Sequence, residues 1–195
     1  MISPAEIKDR AVGSIMGAFI GDALTVGPHW YYDLKELRRD YGDWIDGYTD
    51  PKPGRYHDGL KAGQLSQAGF ILTLMLRSLV EAKGYSEKDF CQRMDQELFP
   101  LLDGTPSSGP GGYTSQSIRD AWRKRVQQDL PWGQIGGHAD TTEAIERTLA
   151  IAVRYAFQPS ELSAAITENC SGQLIPDSIL RFSSAATGEM PSLNA

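Results

Sequence analysis

Polar and aromatic residues gather just after a glycine-spaced apolar segment near the start of the chain. The segment ends at Asp22, and the turn that follows reads GPHWYYD, which places His29 and Trp30 shortly after the carboxylate. A carboxylate and an imidazole can transfer protons, and an indole ring can hold a ligand by stacking. We therefore take Asp22 and His29 as candidate catalytic residues and Trp30 as a candidate ligand contact.

The same stretch also has a purely structural interpretation. Gly13, Gly17 and Gly21 recur every four residues beside Ile15 and Phe19, so one helix face is flat enough for a second helix to approach closely. Tryptophan and tyrosine clusters commonly cover a core rather than line a pocket. If the glycine face is packed, replacing Gly17 by leucine overpacks the contact and destabilises the fold by about 1–3 kcal/mol.

Three glycine-rich segments further along the chain could complete a ligand site. They span residues 42–62, 104–113 and 131–140, and each leads into a predicted helix. Any one of them could be an ordinary surface loop. Together they suggest an anion-binding rim, because helix amino termini present free N–H groups and a positive dipole end. The candidate ligand contacts in these segments are Tyr56, His57, Gly112, Tyr113, Gly137 and His138.

Four stretches of the sequence resemble, in order, the ADP-ribosylglycohydrolase family. GSIMGAFIGDALTVGPHWYYD resembles the family's opening GxxxGxxxGDAxG helix and first loop, and its HWYYD ending is similar to the branch that includes the jellyfish J1-type crystallins. YHDGLKAGQLSQAGFILTLMLRSL, GPGGYTSQSIRDAW and GGHADTTEAIERTLAIAVRYA are similar to later glycine-rich blocks. The resemblance covers the amino-terminal two thirds of the family's domain. It implies an all-α, orthogonal multi-helix bundle without the carboxy-terminal part.

The resemblance also implies a chemistry. Family members use two Mg²⁺ ions to orient ADP-ribose and a water that cuts the glycosidic bond. The ions are held by a Thr-Asp-Asp set on one helix and an Asp-x-Asp-Thr/Ser set near the carboxyl terminus. Such hard cations require several carboxylate oxygens. The implied cofactor is therefore Mg²⁺, and the implied partner is an ADP-ribose-like small molecule or an ADP-ribosylated substrate.

The chain departs from the family at these metal motifs. Where the family has Thr-Asp-Asp, this sequence has Ser66, Gln67 and Ala68, so two carboxylates are missing. Ser66 and Gln67 offer only neutral oxygens. Asp140 and Thr141 either supply further oxygens or cap the helix that follows them. The Asp-x-Asp-Thr/Ser motif does not occur in the sequence.

Two classes of function follow from this comparison. The first is a hydrolase of ADP-ribose conjugates that works with altered ligands. The second is a non-catalytic protein that binds ADP-ribose or another nucleotide, or serves as a crystallin-like structural protein. Because the carboxylates are missing, we expect weak Mg²⁺ binding and slow or absent hydrolysis.

The elements that must position these residues are helices. A Ser3-Pro4-Ala5-Glu6 capping box starts the opening helix. Apolar periodicity predicts further helices over residues 67–82, 86–98, 114–128, 141–157, 159–169 and 176–186. No segment alternates with period two, so we predict an all-α fold. The predicted core includes Ile15, Phe19, Phe70, Leu74, Leu79, Ile145, Leu149 and Val153.

Composition narrows the remaining possibilities. With 195 residues the chain can bury one core, so we expect a single domain over 1–195. The formal charge of -6 argues against binding nucleic acid. The two cysteines form no metal-site or disulfide pattern, and the opening apolar run is too short to span a membrane, so we expect a cytoplasmic protein. An incomplete family domain would expose apolar surface, which makes a homo-oligomer possible.

Overall fold

The structure, a computed structural model, describes residues 2–136 and 143–171 of the chain. That part of the chain contains seven α-helices and no β-strand, so the predicted all-α class is confirmed. The helices are α1 (Pro4–Thr25), α2 (Leu34–Tyr41), α3 (Gln67–Glu81), α4 (Glu87–Arg93), α5 (Gln116–Trp122), α6 (Glu143–Arg154) and α7 (Pro159–Ser171). None of these helices is both long and apolar enough to cross a lipid bilayer.

The helix starts follow local capping rules. The predicted capping box is present at α1, where the Glu6 N–H donates to Ser3 Oγ and the Glu6 carboxylate accepts from the Ser3 N–H at 2.8 Å. The side chains of Ser66 and Ser86 cap α3 and α4 by accepting from the N–H groups of Ala68 and Asp89. The sequence analysis missed α2, although Asp33 caps its start and Gly42, at φ 86°, ends it.

Helix α3 lies at the centre of the core and packs against α1, α4 and α6. Leu74 and Leu79 of α3 are buried as predicted, together with Met75. The predicted core residues Ile15, Phe19 and Phe70 are only partly buried and pack against its edge. The most deeply buried side chains of the core are Leu74, Met75, Met94, Leu98, Ile135 and Ile151.

The buried face of α6 is displaced from the predicted one. Leu149 and Val153 are half-buried, whereas Ala150, Ile151 and Tyr155 are buried. The Tyr155 hydroxyl also accepts from the Tyr85 N–H at 2.7 Å, which ties the end of α6 to the segment after α3. The side chain of the predicted core residue Ile145 and the predicted helix 176–186 lie outside the described residues.

The glycine face of α1 is not a close helix contact in this part of the structure. Gly13 and Gly17 are exposed, and no described residue lies within 4 Å of a Cβ built on Gly13, Gly17 or Gly21. Met16 and Ile20 on the same helix are also exposed. The described residues therefore supply no neighbour for Gly17→Leu to overpack, because four-residue glycine spacing defines a flat face without determining whether anything covers it.

Candidate functional site

Several of the predicted site residues line one cavity of about 140 Å³. Its walls come from the turn after α1, the loop before α3, the first turn of α3 and the first turn of α5. The residues that line it are His29, Trp30, His57, Ser66, Gln67, Ala68, Ile71, Tyr113, Ser115, Ser117 and Ile118. The structure thus brings the predicted residues His29, Trp30, His57 and Tyr113 to one cavity. The cavity lining does not include the predicted site residues Asp22, Tyr56 and Gly112.

Two histidines form a hydrogen-bonded chain that ends on the backbone. His29 Nδ1 lies 2.6 Å from His57 Nε2, and His57 Nδ1 lies 2.6 Å from the carbonyl oxygen of Gly111. A carbonyl oxygen can only accept, so Nδ1 of His57 carries the proton. In neutral His57, Nε2 is then an acceptor, and the proton of the His29–His57 bond belongs to Nδ1 of His29.

The two rings differ in their surroundings. His57 is only 3% exposed, whereas His29 is half-buried at the cavity wall. Partial burial lowers the pKa of His29, and the nearby His57 lowers it further, while the Asp22 carboxylate acts in the opposite direction. Burial and the nearby His57 outweigh Asp22, so the neutral imidazole is favoured. The neutral imidazole is the form that can accept a hydrogen bond.

Two glycines allow the backbone to approach this histidine pair. Gly111 and Gly112 have φ values of 84° and 75°, which side chains rarely adopt. A Cβ on Gly111 would lie 2.0 Å from the backbone nitrogen of Gln67, and one on Gly112 would lie 3.0 Å from Cα of His57. The Gly-rich loop therefore packs directly on α3 and on His57, and it delivers the Gly111 carbonyl to the imidazole.

Trp30 and Tyr113 of the cavity lining belong to an aromatic cluster with Tyr56. The Trp30 ring meets the Tyr56 and Tyr113 rings edge to face, at centroid distances of 3.9 and 4.6 Å, and also lies 4.6 Å from the His29 ring. Trp30 has a φ of 59°, an uncommon conformation for a bulky residue. Tyr56 is 51% exposed, so part of this aromatic surface faces solvent.

Helix α2 and the loop after it hold the turn that carries His29. The Tyr41 hydroxyl donates to the Gly27 carbonyl at 2.7 Å and lies 3.0 Å from the Asp50 carbonyl. Arg55 lies 3.9 Å above the Tyr31 ring and donates to Glu36 at 2.8 Å. These contacts place the unpredicted α2 among the elements that position the site.

Asp22 joins the end of α1 to the start of α3. One carboxylate oxygen accepts from the Ser66 N–H at 2.8 Å, and the other accepts from the Ser66 hydroxyl. The Ser66 oxygen also accepts from the Ala68 N–H at 3.1 Å and so caps α3. A Cβ on Gly69 would lie 2.4 Å from the Asp22 carboxylate, so this close approach requires glycine there.

Gln67 is buried and both ends of its amide are occupied. Its Nε2 donates to the Thr114 hydroxyl at 3.0 Å, and its Oε1 accepts from the Ser115 N–H at 3.1 Å. The Thr114 hydroxyl in turn donates to the Ser108 carbonyl. Gln67 therefore connects α3 to the Gly-rich loop and to the start of α5.

The predicted site residues and the residues that line the cavity differ in several places. Gly137, His138, Asp140 and Thr141 lie outside the described residues. Ser115, Ser117 and Ile118 line the cavity but were not predicted, although their position straight after the GPGGY turn was the available signal. Within residues 2–136 and 143–171 no group of three or more His, Cys, Asp or Glu side chains is arranged to hold a metal ion.

Comparison with known proteins supplies a family. The model of the ADP-ribosylglycohydrolase family matches residues 3–175 of the chain. Crystallin J1A of Tripedalia cystophora is 25% identical over 155 residues, which are 74% of this chain and 44% of the crystallin. Crystallin J1B of the same organism is 25% identical over 151 residues, with the same coverage of both chains. The chain thus spans less than half the length of these relatives.

Proposed function

The chain belongs to the ADP-ribosylglycohydrolase family, and on that basis we propose that its cavity binds an ADP-ribose-like small molecule but supports metal-assisted hydrolysis weakly or not at all. The observation that carries the proposal is the pairing of Asp22 with Ser66. The pairing engages the Asp22 carboxylate and the Ser66 hydroxyl with each other. Ser66 stands where the family's first metal motif begins. The cavity itself keeps groups suited to ligand binding.

The composition of the cavity supports a sugar-like ligand. Serine hydroxyls and the His29 imidazole can bind ligand hydroxyls, while Ile71 and Ile118 offer apolar surface to a ring. At about 140 Å³ the cavity is smaller than the roughly 300–1,000 Å³ typical of small-molecule pockets. It therefore encloses one ring of a larger ligand. The rest of that ligand would lie along the aromatic surface formed by half-buried Trp30 and exposed Tyr56.

The residues at the first metal motif do not fit a Mg²⁺ pair. Ser66 uses its hydroxyl to donate to Asp22 and to cap α3, and Ala68 has no side-chain oxygen. Gln67 is neutral, and its amide oxygen already accepts from Ser115. Two adjacent dications need several carboxylates to offset the loss of their water shells and their mutual repulsion. Asp140 and Thr141, outside the described residues, stay candidates for further oxygens.

A crystallin-like structural role is the alternative function. It is favoured by the similarity to Crystallin J1A and Crystallin J1B, both named as crystallins. A purely structural protein has no need of a lined cavity. Specific binding of a small molecule therefore separates the two functions.

Thermal stabilisation by ADP-ribose tests the proposed function. A ligand that binds only the folded state raises the melting temperature by mass action. We expect ADP-ribose to raise the melting temperature without added Mg²⁺, and adenosine monophosphate, which lacks the second ribose, to raise it less. No shift with ADP-ribose at millimolar concentration would favour the structural alternative.

A further inference from the structure

We propose that His57 fixes the tautomer of His29, so that Nε2 of His29 is the hydrogen-bond acceptor of the cavity and receives a hydroxyl of the bound ring. The inference rests on the proposed function for the nature of the ligand. The tautomer itself follows from the protein alone, through the chain from Gly111 to His57 to His29.

The direction of the hydrogen bonds from His29 to His57 to Gly111 is determined at the buried Gly111 end. The Gly111 carbonyl has no proton to give, and the Gly111 backbone packs directly against Gln67. His57 is almost fully buried, so its ring has little freedom to turn. With Nδ1 of neutral His57 donating to Gly111, Nε2 of His57 accepts from Nδ1 of His29.

This arrangement leaves one nitrogen of His29 for a ligand. Among the described residues, Nε2 of His29 has no hydrogen-bond partner, and the ring lines the cavity. The neutral ring in this tautomer presents a lone pair there and not a proton. His29 therefore selects a ligand group that donates, such as a sugar hydroxyl, over one that only accepts, such as a phosphate oxygen.

Two serine hydroxyls in the cavity lining complement this acceptor. Ser115 and Ser117 lie at the start of α5 and line the same cavity, with their hydroxyl oxygens 3.4 Å apart. A hydroxyl can donate or accept, whereas His29 in this tautomer can only accept. A polyhydroxylated ring can donate to His29 and can bind hydroxyls that donate or accept. His57, which does not need to touch the ligand, acts as a positioning residue.

The experiment is nitrogen-15 NMR of the imidazoles at pH 7.5. The chain has three histidines, and the signals missing from a His29→Gln spectrum identify His29. We expect His29 and His57 both to be protonated at Nδ1 in the ligand-free protein. On addition of ADP-ribose, we expect the Nε2 signal of His29 to shift in the direction of an accepted hydrogen bond. Protonation of ligand-free His29 at Nε2 would overturn the inference.

Affinity measurements separate this inference from the proposed function. His29→Phe removes the acceptor and should weaken ADP-ribose binding about tenfold, whereas His29→Gln, whose amide oxygen can replace Nε2, should lose less. Binding that leaves the Nε2 signal and the His29→Phe affinity unchanged overturns this inference but leaves the proposed function standing. Absence of ADP-ribose binding by the wild-type protein overturns the proposed function and this inference with it.

Discussion

Asp22 binds Ser66 through both of its carboxylate oxygens, one on the backbone N–H and one on the hydroxyl. The two residues are far apart in sequence, and their pairing joins the last turn of α1 to the first residue before α3. A carboxylate that could have held a cation is thereby engaged by Ser66, the residue that caps α3 and lines the cavity.

Asp22→Asn should destabilise the protein by about 1.5–3 kcal/mol, because an amide replaces one charged acceptor by a donor facing the Ser66 contacts. Urea unfolding measures the change. Asp43→Asn is the control, since the Asp43 carboxylate is 95% exposed in its ion pair with Arg38, and its cost should be below about 0.5 kcal/mol. Equal costs for the two variants would show that the Asp22–Ser66 pair contributes no more than a surface charge.

Gly111→Ala should destabilise the protein more than Gly54→Ala. Both glycines have positive φ, so both substitutions carry a backbone cost of about 1–2 kcal/mol. Only at Gly111 does the new Cβ meet backbone, at 2.0 Å from the Gln67 nitrogen, whereas no described residue lies within 4 Å at Gly54. We expect about 1–3 kcal/mol of additional cost at Gly111, read from denaturant midpoints. Indistinguishable midpoints would mean that the loop moves freely away from α3.

Gly17→Ala should stabilise the protein by about 0.5–1 kcal/mol. Gly17 is exposed in the interior of α1, and alanine there lowers the conformational entropy of the unfolded chain without meeting a described neighbour. Differential scanning calorimetry should show a raised melting temperature. A lowered melting temperature would instead indicate that a partner covers the glycine face, either another part of the chain or a second copy.

The stabilising effect of His29 should decrease in acid. Burial lowers the pKa of His29 in the folded state below the value of about 6.5 expected when unfolded. As the pH falls through 6.5, the unfolded chain takes up a proton before the folded one does, so the free energy of unfolding declines. The difference in unfolding free energy between wild type and His29→Gln should therefore be constant above pH 7.5 and fall towards pH 5. A difference in unfolding free energy that does not vary with pH would contradict the lowered pKa of His29.

Local signals in the sequence predicted much of the fold. Caps and apolar spacing located α3 to within a residue, and the Ser3–Glu6 capping box located the start of α1. Helix α2 was missed because its short polar sequence lies between two segments read as turn and loop. The glycine spacing of α1 predicted a close helix contact that the described residues do not form, because spacing describes a surface but not its neighbour.

The sequence predicted which residues lie near one another at the site, but not the hydrogen bonds between them. His29, His57 and Tyr113 were expected near one another from the order of the segments. The bond between His29 and His57, and the bonds of Gln67 to Thr114 and Ser115, join residues separated by 28 to 48 positions. Such contacts depend on how helices and loops pack in three dimensions, and no local pattern encodes them.

Calorimetric titration with Mg²⁺ in the presence of ADP-ribose tests the central claim most directly, with release of free ADP-ribose from a modified peptide measured on the same protein. The missing carboxylates at Gln67 and Ala68 and the engagement of Asp22 by Ser66 predict Mg²⁺ binding no tighter than millimolar and no multiple turnover. ADP-ribose alone should still bind. Micromolar Mg²⁺ binding with multiple turnovers would contradict this account and identify the chain as an active hydrolase.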